Sequence, residues 1–200
     1  DLNLVNHRKV LNHFFAWCEG NNYLRYRIVF KIPDEYQKSR RQRVILTDAQ
    51  FKNLIENADG MILLYISMYA LMGMRSLEIL SLRWDHIDLD NAALKIDKFS
   101  NRKRKERAIP INGFVLSLLK QRRKEINSDY VFPSKVKGGQ YPHINPTGGH
   151  RKAWLKSLSD AGLSGKITPH DLRALFETYM HKNSKFTDTQ REKMAGAAID

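Results

Sequence analysis

Two hundred residues, 42% of them hydrophobic, suffice for one ordinary domain or a domain with part of a second, which argues against a fully disordered chain. Lysine and arginine number 34 against 21 aspartates and glutamates, and the net charge of +13 points to polyanionic partners, nucleic acid before acidic membrane. One cysteine, Cys18, excludes an internal disulfide framework and a cysteine-based zinc site, and no apolar stretch is long enough to span a bilayer, so a soluble protein of a reducing, cytoplasmic compartment is expected.

Leu4, Val5, Leu11, Phe14, Phe15 and Cys18 recur at helical spacing ahead of Gly20, which predicts an amphipathic helix with a glycine stop. Residues 34–43 follow Pro33, lack apolar periodicity and carry Lys38, Arg40, Arg41 and Arg43; they read as a charged segment that is either a solvated tether or a phosphate contact. A boundary there separates residues 1–38 from a larger domain over 44–200, with 39–43 as the linker. Thr47-Asp-Ala-Gln then matches a capping box in which Gln50 reaches back to Thr47, so a helix over 49–58 is predicted before an apolar one beginning at Met61.

Leu94-Lys-Ile and Arg107-Ala-Ile-Pro-Ile predict two short strands around a basic hairpin, Lys98 to Glu106, whose side chains have to project into solvent or onto a partner. Phe114 to Ile126 predicts an amphipathic helix with Lys120, Arg122, Arg123 and Lys124 on its basic face. Gly138-Gly139, Pro142 and Pro146 mark a long loop, and a further helix runs from about His150 to Ala161, stopped by Gly162. At Thr168-Pro169 the threonine can accept a hydrogen bond from an early backbone N–H and the proline suits a first turn, so a helix starts there with His170 and Arg173 on one face. The expected fold class is α+β, mainly helical with a small antiparallel sheet.

Two segments carry candidate chemistry: residues 70–88, Ala-Leu-Met-Gly-Met-Arg-Ser-Leu-Glu-Ile-Leu-Ser-Leu-Arg-Trp-Asp-His-Ile-Asp, and Thr168-Pro-His-Asp-Leu-Arg. Singly, an arginine after an apolar helix or a His-x-x-Arg at a helix start is a common surface or capping pattern. In this order, with a basic hairpin between them, the two closely resemble the arginine boxes of the tyrosine recombinase (phage integrase) family. Arg75, Glu78, Trp84, Ile87 and Asp88 match the first box, and His170 and Arg173 the second. The resemblance is strong over residues 44–196 and weak before them, where residues 1–38 look like the last helix and exit strand of the family's core-binding domain.

Elementary chemistry agrees with that resemblance. Attack on a phosphodiester builds negative charge on the non-bridging oxygens, and two guanidinium forks can bind those oxygens without a metal, so Arg75 and Arg173 form the candidate clamp. His170 can hydrogen-bond the same phosphate or take up a proton near neutral pH. The resemblance implies a hairpin lysine that protonates the departing 5′ oxygen, to be chosen among Lys98, Lys103 and Lys105, and counting back from Pro110 favours Lys103. Arg40, Arg41, Lys98, Arg102, Arg104 and Lys105 are expected to bind or steer DNA phosphate. For Glu78 the resemblance implies a structural acceptor that orients the site, and the plain alternative is a helix-surface carboxylate. His143 and His150 read as loop residues, and no carboxylate pair has metal-site spacing, so neither a metal nor another cofactor is expected.

The family's complete enzymes form a 3′-phosphotyrosyl intermediate and a free 5′ hydroxyl, and assemble as homotetramers on double-stranded DNA attachment sites. In the matching third segment Gly196 keeps the family's glycine, Ala197 stands where histidine or tryptophan is usual, and no tyrosine follows before Asp200. None of the eight tyrosines replaces it, since Tyr65 and Tyr69 fall on the apolar helix and Tyr179 on the His170 helix, where packing is the expected role. The expectation is therefore the catalytic domain of a site-specific DNA recombinase, inactive and monomeric as residues 1–200, with no membrane partner. The alternatives are a non-catalytic DNA-binding protein on the same fold and an RNA-binding helical domain.

Overall fold

The structure is a computed structural model that describes residues 2–31, 43–96, 106–134 and 150–182. The chain divides into two compact units, Asp1–Gln42 and Arg43–Asp200.

In the first unit the helical period from Leu4 to Cys18 becomes α1 (Leu2–Gly20). A turn closes it, with the N–H groups of Asn21 and Tyr23 donating to the carbonyls of Trp17 and Cys18. The chain then doubles back, and Asn12 and Phe30 exchange two hydrogen bonds, the Phe30 N–H to Oδ1 at 2.7 Å and Nδ2 to the Phe30 carbonyl at 3.0 Å. Cys18 is buried, but Leu4, Leu11 and Phe14 stay exposed, so only part of the predicted apolar face is covered among the described residues.

The second unit opens with α2 (Asp48–Glu56), whose capping box forms as its sequence predicts: the Gln50 N–H donates to Thr47 Oγ1 and the Thr47 N–H to Gln50 Oε1. Next comes α3 (Gly60–Met72), apolar on every side. A helix of that kind has to be enclosed, and Ile62, Leu64, Tyr65, Ile66, Met68, Tyr69 and Met72 are all buried. Packed against it are α2, α4 (Ser76–Leu80), α5 (Gly113–Glu125) and α7 (Pro169–Lys182). The remaining helix, α6 (Arg151–Asp160), is tied to α2 by Asn53 Nδ2, which donates to the Ala161 carbonyl at 3.0 Å.

The sheet has three antiparallel strands in the order β1 (Ile87–Asp88), β2 (Ala93–Ile96), β3 (Arg107–Pro110), one more than periodicity predicts. Two residues carry no readable alternation, and β1 exists because Asp88 builds the turn after it, accepting from the N–H groups of Asp90 and Asn91 and from the Asn91 side chain. Leu94, Ile96 and Ile109 point into the core. On α5, Arg122 is drawn out of the predicted basic face to the Val131 carbonyl, and Arg123 lies over the Trp84 ring at 5.1 Å.

The start of α7 corrects one expectation. The Thr168 hydroxyl donates to Asp171 Oδ2 at 2.7 Å, and the Thr168 N–H donates to that oxygen as well. The reciprocal half of the cap is thus the Asp171 carboxylate, which is buried and also accepts the Val44 N–H at 3.3 Å.

Candidate active site

Gly73 ends α3 in the left-handed conformation, φ 61°, with its N–H returned to the Tyr69 carbonyl. Phe176 of α7 lies so close that a Cβ at this position would stand 2.3 Å from the ring. That approach brings in Arg173, whose Nη1 donates to the Gly73 carbonyl at 2.6 Å across a hundred residues of sequence. Two residues past Gly73, Arg75 sits at the N-cap of α4.

Glu78 occupies the third position of α4, and its side chain is fully enclosed. Its Oε2 accepts the Arg75 backbone N–H at 2.9 Å and its Oε1 accepts Arg75 Nη1 at 3.1 Å. From β3, Arg107 meets the same carboxylate with two parallel bonds, Nη1 to Oε1 at 3.1 Å and Nη2 to Oε2 at 2.9 Å. Two-pronged, charge-assisted pairing of this kind is the strongest hydrogen bonding available to side chains. The surface-carboxylate alternative for Glu78 is thereby excluded.

Sequence reasoning passed over Arg107. The usable signal is alternation: Arg107 and Ile109 share one face of β3, Ile109 is buried, and an arginine on an inward face requires a buried acceptor.

Arg173 is itself buried. Its Nε donates to Glu177 Oε1 one turn along α7 at 3.1 Å, and Glu177 also pairs with Arg43 at 3.6 Å. Burial depresses the proton affinity of Arg173 first, the positive charge of Arg75 depresses it further, and Glu177 and Glu78 act in the opposite direction. Two guanidiniums from distant parts of the chain thus act on each other electrostatically, an arrangement that can bind an oxyanion. His170 stands exposed on the first turn of α7, next to the buried Asp171.

Beneath this layer the Tyr65 hydroxyl and Ser76 Oγ are 3.1 Å apart, and the rings of Tyr65 and Tyr69 meet edge-on at 5.1 Å. Burial raises the pKa of both phenols, which keeps them protonated. His150 is not a loop residue. It heads α6, is buried, and packs its ring 4.6 Å from that of Tyr65; burial lowers its pKa, and its Nδ1 has no hydrogen-bond partner among the described residues. Tyr179 is exposed, contrary to the packing role expected of it.

Lys98, Arg102, Lys103, Arg104 and Lys105 lie in 97–105, Arg40 and Arg41 in 32–42, and His143, Gly196 and Ala197 in the segments 135–149 and 183–200; all are outside the described residues. The hairpin's root is described, with Ile96 paired to Arg107. Among the described residues no group of three or more His, Cys, Asp or Glu side chains could hold a metal ion, and no helix is long and apolar enough to cross a membrane.

A mainly helical domain with a three-stranded antiparallel sheet, and with two arginines converging from the end of one helix and the start of another, has the fold of tyrosine recombinase catalytic domains. Residues 44–190 match the model of the phage integrase family, and the chain belongs to that family. A prophage integrase, IntF, of Escherichia coli (strain K12) is 35% identical over 120 residues, a match covering 57% of this chain and 23% of that protein. Less than a quarter of that relative's length is therefore represented. Among solved structures, a Tn1549 transposon integrase in complex with a circular intermediate DNA superposes with a TM-score of 0.74 at 16% identity, covering 100% of this chain and 73% of that one. A lambda integrase tetramer bound to a Holliday junction gives 0.69 at 16% identity over 96% and 57%, and XerA recombinase 0.66 at 23% over 80% and 58%. At these identities the structural matches speak for the fold.

Proposed function

We propose that this chain is the catalytic core of a site-specific DNA recombinase that cuts and rejoins double-stranded DNA at an attachment site through a 3′-phosphotyrosyl intermediate. The observation that carries the reading is that Arg173 donates to the Gly73 carbonyl at 2.6 Å, two residues before Arg75 at the N-cap of α4, and that the positive charge of Arg75 lowers the proton affinity of Arg173. In this reading both guanidiniums bind the scissile phosphate and stabilise the charge that grows on its non-bridging oxygens. In the same reading His170, exposed on the first turn of α7, hydrogen-bonds that phosphate or carries a proton, and Lys103 protonates the 5′ oxygen as it departs.

The tyrosine oxygen attacks phosphorus, the bond to the 5′ oxygen breaks, and the phosphodiester energy is held in the new linkage until a 5′ hydroxyl attacks it. Tyr65 and Tyr69 are too buried and too firmly protonated for that attack, and the reading assigns the nucleophile to a tyrosine carboxyl-terminal to Asp200. Residues 1–38 serve as part of a core-binding domain, Arg40, Arg41 and the hairpin cations steer DNA, and the full-length protein works as a tetramer on DNA in the bacterial cytoplasm. Residues 1–200 alone are a monomer that forms no adduct.

The test is a nicked duplex carrying the attachment site, incubated with the full-length protein and analysed for a denaturant-resistant adduct. An adduct on a tyrosine beyond Asp200, reduced by about a hundredfold or more in Arg75→Ala and in Arg173→Ala, is expected. Tight, salt-dependent binding without any adduct would replace this reading with a non-catalytic DNA-binding protein.

A further inference from the structure

Arg107 belongs to neither arginine box, yet it is tied to the first one through Glu78, and two further observations describe its setting. Its two terminal nitrogens meet both oxygens of Glu78, the carboxylate that also holds Arg75 by backbone and side chain. It pairs with Ile96 at the root of the hairpin 97–105. Its Nε is buried without a partner among the described residues, although its side chain is only 10% exposed. A buried donor left unsatisfied is costly, so what sets this rotamer is the fork on Glu78.

We infer that Arg107 is a positioning residue: by occupying the two-pronged place on Glu78 it limits Arg75 to a single side-chain contact with that carboxylate, and so fixes where the Arg75 guanidinium points. This rests on the proposed reading in which Arg75 binds the scissile phosphate. An enclosed carboxylate with one cation beside it draws that cation into a parallel fork, because paired bonds outweigh a single one. With Arg107 in place the fork is already made, and Arg75 meets Oε1 through Nη1 alone. Replacement of Arg107 by lysine keeps the charge but loses the planar fork, and Arg75 turns inward onto Glu78 and away from the phosphate.

The experiment uses the full-length protein on the nicked attachment-site duplex, with Arg107→Lys, Arg107→Gln, Arg75→Ala and the Arg75→Ala/Arg107→Lys double variant. Single-turnover adduct formation in Arg107→Lys should slow by about ten- to a hundredfold, the scale of a misplaced reacting group. DNA affinity and its salt dependence should stay within about twofold, since phosphate contacts elsewhere are untouched. Over extended incubation the double variant should be no slower than Arg75→Ala, because a residue acting through Arg75 has nothing left to position.

A second measurement is the affinity of residues 1–200 for inorganic phosphate against chloride at equal ionic strength. It should weaken in Arg107→Lys and Arg75→Ala alike, and no further when they are combined. Unchanged rates in Arg107→Lys, or losses that multiply in the double variant, would overturn the inference. So would a failure of both Arg107 variants to fold, which would make the residue a structural strut. An undiminished adduct in Arg75→Ala would instead overturn the clamp on which the inference rests.

Discussion

Glu78 and Glu177 each hold two arginines, but they do so in opposite surroundings. Glu78 is fully enclosed and accepts N–H groups from Arg75 and Arg107 on both of its oxygens. Glu177 is one-third exposed and pairs with Arg173 at 3.1 Å and with the largely solvated Arg43 at 3.6 Å. Arg75 is therefore held by charge where charge acts strongly, whereas Arg173 is held by burial and by the Gly73 carbonyl, with its carboxylate as a lesser support. One kind of residue reaches two neighbouring positions by different physics, and the difference predicts which supports matter.

The largest effect is expected at Glu78. Glu78→Ala leaves two guanidiniums facing a buried void without their counter-charge, and should lower stability by about 3–5 kcal/mol in denaturant unfolding. A loss below about 1 kcal/mol would mean that the pair is screened like a surface one and that the contrast with Glu177 is false.

Gly73→Ala tests the other arm of the comparison. It combines a left-handed backbone with overlap onto Phe176, and a cost of about 2–4 kcal/mol is expected, with Arg173 displaced from the carbonyl. Calorimetric melting measures the cost, and full stability in this variant would show that α7 is not seated on the end of α3 by close packing. The smallest effect belongs to Glu177→Ala, at most about 1 kcal/mol, and smaller still at high salt. A larger, salt-insensitive loss would place Glu177 on a par with Glu78.

Much of this architecture is readable one segment at a time. The helix α1, the Thr47 and Gln50 capping box, the enclosed α3 and the strands at Ala93–Ile96 and Arg107–Pro110 follow from local period and local capping. Both arginine boxes are legible too, because their residues are close in sequence. Less legible are contacts that depend on how elements pack. Asp88 makes β1 by closing a turn, Asp171 rather than Thr168 supplies the acceptor of the α7 cap, and His150 is enclosed against Tyr65. The exposed Leu4, Leu11 and Phe14 show the converse, since a helical period states that a helix has an apolar side and not what lies against it.

By itself the sequence determined most of the helices, two of the three strands, the strong positive charge, the order of the two boxes and, through them, the family. Those features are set by neighbours within a few residues, whose backbone and side-chain preferences act before any tertiary contact forms. Only the tertiary structure decided that Glu78 is enclosed, that Arg107 shares it with Arg75, and that Arg173 hangs from the Gly73 carbonyl. Hydrogen bonds and charges act over a few ångströms, and which residues come within that reach across a hundred positions is settled by the packing of α3, α7 and the sheet.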